Sequence, residues 1–253
     1  MPTMRMPVLF AGHGSPMNAI EDNQWSRGFA ALARLTGTPR AILCISAHWF
    51  VPGTFVTGEE RPKTIHDFGG FPEALYEVRY PAPGSAALAA RAGQLTGATP
   101  RTDWGLDHGA WSVLMHTFPD AKVPVVQLSI DHRLSPEEHL ALGRKLAPLR
   151  DEGVLIAGSG NITHNLRHAF TRRDFPAWAA NFDAAAAEAL KRADGDALAK
   201  LLSTDDGRRA HPTPDHYLPL LYAAGAASPG DQVSFPIEGF DLGSLSMRSV
   251  IFQ

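Results

Sequence analysis

The sequence predicts an α/β fold: one domain, residues 1–253, with a central, largely parallel sheet flanked by helices. Three observations predict it. Apolar runs at residues 8–10, 41–47 and 154–157 are nearly free of polar residues, as strands buried on both faces are. Strand-like and helix-like stretches alternate over most of the length, the pattern of a parallel sheet with helical crossovers. Each of the three runs leads through small residues to a histidine (His13, His48 or His164). Open α/β sheets take ligands at the carboxyl ends of their strands, so several strand ends are expected to feed one site there.

The first strand, 8–10, runs into Gly12-His13-Gly14-Ser15-Pro16, where the two glycines permit backbone angles that a Cβ resists and Pro16 sets a new direction. Trp25, Phe29, Leu32 and Leu35 keep the spacing of an amphipathic helix, ended by Gly37 and Pro39. The strand before His48 follows, then a short strand at 54–56. Residues 64–72 form a loop of glycines, aromatics and His66, and 81–84 a turn. The alanine-rich stretch 85–95 is a helix, and 104–111 opens another through 115. Residues 123–130 are an apolar strand. Ser135-Pro136-Glu137-Glu138 is a capping box with proline at the first helical position, so a helix runs to about 149. After the strand at 154–160 comes a long helix, 182–202, interrupted at Gly195. Thr213-Pro214 repeats the cap-then-proline signal and starts a helix that holds His216 at its third residue. Residues 232–236 and 245–252 read as closing strands.

Hydrophobic residues make up 44% of the 253 and charged residues 19%, which fits a well-filled core. A net charge of −3 offers no basic field for nucleic acid or an anionic membrane, and pairs such as Arg172-Arg173 read as solvated surface. No charged start followed by a long apolar stretch marks a signal peptide, and no run has the ~18 apolar residues of a membrane span. The chain reads as soluble and cytoplasmic. Cys44, the single cysteine, sits inside an apolar run and is expected to be a buried, inert thiol.

Eleven histidines carry the chemical signal. His139 is expected on the exposed face of the capped helix. His116, His168 and His211 read as ordinary residues making one hydrogen bond, and His66 and His132 as either that or a pocket wall. His13, His48, His108 and His164 lie in small-residue turns or at strand ends. For His216, the positive end of the predicted helix favours neutral imidazole, the form that binds Zn(II), Fe(II), Cu or Ni. Spacing alone leaves a metal site open, since no pair forms a compact ligand signature. Gly158-Ser159-Gly160 is too short for a nucleophile elbow, Gly12-His13-Gly14-Ser15 lacks the dinucleotide glycine pattern, and Cys44 within a strand is poorly placed as a nucleophile.

Six motifs in order, Gly12-His13-Gly14-Ser15-Pro16, Ser46-Ala47-His48-Trp49, His66-Asp67-Phe68-Gly69-Gly70-Phe71-Pro72, Asp107-His108-Gly109-Ala110-Trp111, Gly158-Ser159-Gly160 with His164-Asn165, and Pro214-Asp215-His216-Tyr217, resemble the DOPA extradiol dioxygenases of the class III extradiol ring-cleaving superfamily. The resemblance implies one Zn(2+) or Fe(2+) at the carboxyl edge of the sheet, held by His13, His48 and His216, with His164 as acid/base or a fourth ligand. It also implies that His108 faces the oxygen-binding side. It implies extradiol cleavage of a small catechol, DOPA-like and of 4,5 type, with O2. A third histidine stands where many ring-cleaving members have glutamate, which suits zinc as well as Fe(II). Asp215 is then a cap or a group that orients a ligand. Phe68, Phe71, Trp49 and Trp111 are a substrate wall or ordinary core. Two rival readings are a zinc hydrolase, distinguished by consuming no oxygen, and a non-catalytic interaction protein of the Memo type, against which stand His108 and His164.

Overall fold

Four parallel strands form the centre of this computed structural model, which describes residues 5–172 and 175–253. Arg173 of the expected surface pair lies outside the described residues, and Arg172 is exposed. In spatial order the four are β5 (Val125–Asp131), β2 (Ala41–Val51), β6 (Val154–Gly160) and β1 (Val8–Gly12). Successive side chains of a strand point to opposite faces, and each face of this sheet has its own core. Val8, Phe10, Leu43 and Ile45 enter one core; Leu9, Ala11, Ile42 and Cys44 enter the other. That is why the strands read as continuous apolar runs rather than alternating ones. Cys44 is buried as expected, and burial pushes its thiol pKa well up.

Among the described residues the sheet has eight strands and is mixed. Beyond β5, β3 (Phe55–Thr57) pairs antiparallel with it and parallel with β4 (Thr99–Arg101), a strand the sequence pattern did not mark. Beyond β1 lie β10 (Ser249–Phe252), antiparallel to β1, and β7 (Val233–Ile237), antiparallel to β10. The expected single strand at 245–252 is in fact two. β9 (Leu245–Ser246) pairs with β8 (Phe240–Asp241) in a separate hairpin, and the chain then crosses β1 at Met247 before β10 begins.

One core lies under α1 (Gln24–Thr36) and α4 (His108–Thr117). In α1, Trp25, Phe29 and Leu32 are buried as the spacing predicts, but Leu35 is exposed near the helix end. The other core takes in α3 (Ala86–Thr96), α5 (Pro136–Leu146), α7 (Ala177–Lys191), α8 (Gly195–Leu201) and α10 (Leu218–Ala226). The capping box of α5 is formed in both directions: Glu138 N–H donates to Ser135 Oγ, and Ser135 N–H to the Glu138 carboxylate. The helix ends at Leu146, earlier than predicted, and tightens into a 3-10 turn over Ala147–Arg150 where Pro148 removes a donor. His139 is not on its exposed face. α10 packs across α5 and buries it completely, with Nδ1 3.0 Å from the Tyr222 hydroxyl.

The predicted long helix at 182–202 is two helices. Ala193 takes a left-handed φ of 52°, and Asp194 caps α8 by accepting from Ala197 N–H. The short helices α2 (Glu73–Tyr76), α6 (Leu166–Thr171) and α9 (Asp205–Ala210) carried too few periodic residues to be read. Among the described residues, no helix is long and apolar enough to cross a membrane.

Candidate functional site

Every histidine singled out in the sequence as a candidate comes to the carboxyl end of the parallel strands. His13 leaves β1 with its N–H still bonded to Gly160 O of β6, at 2.9 Å. The two glycines around it do different jobs. Gly14 has φ +63°, a left-handed angle. Gly12 does not; a Cβ there would lie 2.7 Å from the Met247 main-chain carbon, so Gly12 is required by close approach of the crossing chain. His48 lies inside β2 rather than past its end. The pairing of β2 with β5 slips between Ile45 and Phe50, an irregularity of the kind that re-aims a side chain.

His216 is not in a helix. Residues 214–217 form a turn, with Tyr217 N–H donating to Pro214 O at 2.9 Å, and α10 starts only at Leu218. Its neutrality therefore comes from burial and neighbouring histidines, not from a helix end. Asn161 N–H donates to His216 O at 2.9 Å, and glycine at 160 lets this turn lie directly on the end of β6. His108 is the first residue of α4, capped by Asp107. His164 follows β6 and stacks on His216, ring centroids 3.4 Å apart and planes 3° from parallel.

Nitrogens of His13, His48 and His216 lie within 4.8 Å of one another, and His164 is outside that set. The Nε2 atoms of His13 and His48 are 3.2 Å apart. Groups behind the rings decide which nitrogens face inward. Ser159 Oγ donates to Gly109 O at 2.5 Å and so accepts from His13 Nδ1–H at 3.0 Å. The Asp215 carboxylate accepts from His216 Nδ1–H, so Asp215 orients the His216 ring, through a turn and not from a helix. Asp67 Oδ2 lies 3.2 Å from His48 Nδ1 and 3.0 Å from His108 Nδ1, while its Oδ1 accepts from His108 N–H at 2.9 Å. Ser159 and Asp215 thus hold Nδ1–H on His13 and His216, and with the Asp67 carboxylate nearest His48 Nδ1 the three Nε2 lone pairs converge.

The electrostatics agree. Burial lowers the pKa of His13 and His216 well below the usual range, and the other imidazoles lower both further. Burial also takes His48 down to about 3 and His164 to about 4. Burial pushes the Asp67 carboxyl up, but the facing His108 and His48 outweigh it and hold it at about 2. Two lone pairs 3.2 Å apart with no proton between them repel. A cation between them relieves this, so the donor set fits a divalent metal bound through three imidazoles. Asp67, His48 and His108 form a second mutually close set, but there the carboxylate faces the Nδ1 side of both rings.

Above this floor opens a cavity of about 520 Å³, within the usual range for small-molecule sites. Phe68 and Phe71 line it as expected. Trp49 and Trp111 do not: Trp49 is buried and stacks on Trp104 at 5.6 Å, and Trp111 donates to Ile65 O at 2.8 Å from the core. His66 binds Val78 O, and His132 is exposed beside Phe50; neither lines the cavity. His116 and His211 bond main-chain carbonyls, and His168 packs on Trp178. Sequence reasoning missed Asp67, Ser159 and the opposite wall of Leu166, Phe170, Leu242 and Leu245. Asp67 and Ser159 stood inside motifs already noted; the four apolar residues carried no local signal.

The sequence profile of the LigB family, described as the catalytic LigB subunit of aromatic ring-opening dioxygenase, matches residues 7–247. A 4,5-DOPA dioxygenase extradiol of Escherichia coli K12 is 48% identical over 99% of this chain and 96% of its own length. One from Beta vulgaris is 40% identical over 97% and 96%. A crystal structure of an uncharacterised E. coli K12 protein superposes with a TM-score of 0.84 at 41% identity, covering 98% of this chain and all of that one. The chain belongs to the LigB family of aromatic ring-opening dioxygenases.

Proposed function

From membership of that family, we propose that residues 1–253 act as one catalytic domain that opens the ring of a DOPA-like catechol in the extradiol, 4,5 manner. The reaction consumes O2, and His13, His48 and His216 would hold the one divalent metal it needs. The observation that carries this reading is the convergence of three neutral imidazoles on the floor of an aromatic-walled cavity flanked by His164 and His108.

When bound, the metal supplies Lewis acidity that lowers the pKa of the catechol hydroxyls, and a place for O2 beside the substrate. The chain's residues do the rest. Phe68 and Phe71 bound the ring on one side and help exclude water. His164, half-buried at the cavity wall, takes the remaining hydroxyl proton as general base. Its parallel stacking on His216, outside the close nitrogen set, supports this role over that of fourth ligand. His108 lies over His48, centroids 3.8 Å apart, on the opposite side from His164 in this reading. Its Nε2 first takes up the proton it later passes to the oxygen side, and the Asp67 carboxylate 3.0 Å from Nδ1 stabilises the imidazolium so formed. Both oxygen atoms enter a yellow muconic semialdehyde-type product.

The absence of a carboxylate among the three ligands favours one second reading, a zinc hydrolase that activates water. One experiment separates the two. Metal-free protein is loaded with Fe(II) or with Zn(II) and offered DOPA, caffeate and protocatechuate, while oxygen uptake and yellow product are followed. Uptake with Fe(II) alone supports ring cleavage and makes zinc a competing occupant. No uptake with either metal on any catechol refutes it.

A further inference from the structure

His13 stands where the main-chain pairing of β1 runs out. β10 pairs with β1 only as far as Phe10, and β6 only as far as Gly12. Past that point side chains hold the main chain around the ligand. Gly12 N–H donates to Ser249 Oγ at 3.2 Å, Asn18 Nδ2 donates to His13 O at 3.1 Å, and Gly14 N–H donates to Asn161 Oδ1 at 3.3 Å. Gly14, at a left-handed φ and without a Cβ, is free to turn unless its N–H is held.

Asn161 differs from the other two holders in what else it binds. It is fully buried, one residue past the end of β6. Its Nδ2 donates to Ser246 O at 2.8 Å, so a donor and an acceptor at opposite ends fix the orientation of the amide. Its own N–H donates to His216 O at 2.9 Å. One residue therefore joins the turn of His13, the turn of His216 and the chain that crosses β1. The floor needs a restraint of this kind. The Nε2 atoms of His13 and His48 are 3.2 Å apart, and their lone pairs repel until a cation lies between them.

We propose that Asn161 is a positioning residue of this floor, fixing the His13 turn against the His216 turn so that the two imidazoles meet one divalent cation. The proposal rests on the reading that His13, His48 and His216 hold that cation. Asn161 touches neither imidazole; it acts through the main chain of both turns. Without its side chain, Gly14 N–H and Ser246 O are buried and unpaired. Each regains a partner only if the turn or the crossing chain moves, and His13 moves with the turn.

The test is chelator competition for Zn(II) on wild type, Asn161→Ala and Asn161→Leu, with thermal midpoints taken with and without zinc. Leucine fills the space of the amide without its hydrogen bonds. Thr117→Val is the control for stability alone, since it removes a buried hydroxyl that bonds Phe29 O at 3.0 Å, at the opposite end of α4 from His108. Both Asn161 variants are expected to bind zinc about 10–100-fold more weakly, as when a group that orients a metal ligand is lost, and so to gain less from zinc in the melt. Thr117→Val should melt earlier and keep its zinc affinity within about twofold, as distant sites act independently. A folded Asn161→Ala protein with wild-type zinc affinity overturns the proposal and leaves the ligand set standing. So does wild-type affinity in Asn161→Leu, because packing and not the hydrogen bonds would then hold the turn. If neither variant folds, with or without zinc, the residue is structural and the proposal fails. Wild-type protein that binds no zinc overturns the ligand set and the proposal together.

Discussion

Gly160→Ala should separate metal binding from folding. Gly160 ends β6, and the turn carrying His216 lies directly on it. A Cβ at 160 would overlap the His216 carbonyl oxygen and stand 3.0 Å from its carbon and 3.4 Å from its Cα. The oxygen would lie 2.1 Å from the new Cβ, well inside the ~3.5 Å of ordinary contact, so the turn must shift by about 1 Å or more. Overpacking of this kind costs about 1–3 kcal/mol of stability, which a domain of this size survives. The ligand fares worse, because a misplacement of about 1 Å costs on the order of 100-fold where geometry matters, and 100-fold is about 2.7 kcal/mol. The assay is chelator competition for Zn(II) on protein shown by circular dichroism and thermal melting to be folded. Gly69→Ala serves as the control, since a Cβ there meets nothing within 4 Å. A folded Gly160→Ala protein with wild-type metal affinity would refute the argument that this glycine sets the position of His216.

Three further outcomes are expected. Asp67→Asn should weaken metal binding by about 10–100-fold through His48 and reduce turnover through His108; equal affinity and turnover by chelator competition and oxygen uptake would remove Asp67 from both roles. His216→Ala should lose stoichiometric metal by elemental analysis, while His108→Ala should keep metal and lose oxygen uptake; a reversal of the two would exchange their roles. Burial takes His139 and His211 from 6.5 to about 4 in the folded chain. Below pH 6.5 the unfolded chain therefore binds protons that the folded one refuses, so stability present above pH 6.5 is lost as pH falls towards 4, by up to about 3 kcal/mol per histidine. Denaturant midpoints measured from pH 7 to 4 check this, with a shallower fall in His139→Gln; parallel slopes would contradict it.

What the sequence determined by itself was local. Continuous apolar runs mark strands with a core on each face, because the side-chain alternation of a strand leaves no polar position when both faces are covered. The capping box of α5 was legible because its donors and acceptors lie within four residues. The candidate histidines were legible as a set, since small residues followed by histidine at strand ends form a pattern independent of what packs on them, and their chemistry came through the family resemblance. The tertiary structure decided whatever depends on residues far apart in the chain. Gly12 is glycine because of Met247, and Gly160 because of His216. His139 is buried because α10 crosses α5, though its own helix reads as exposed there. Trp49 and Trp111 go to the core while Phe170 and Leu242 go to the pocket, because side-chain type states only a preference for burial and the packing partner states where. The tautomers that turn the Nε2 lone pairs of His13, His48 and His216 inward rest on Ser159, Asp67 and Asp215, and only Asp215 adjoins its histidine in the chain.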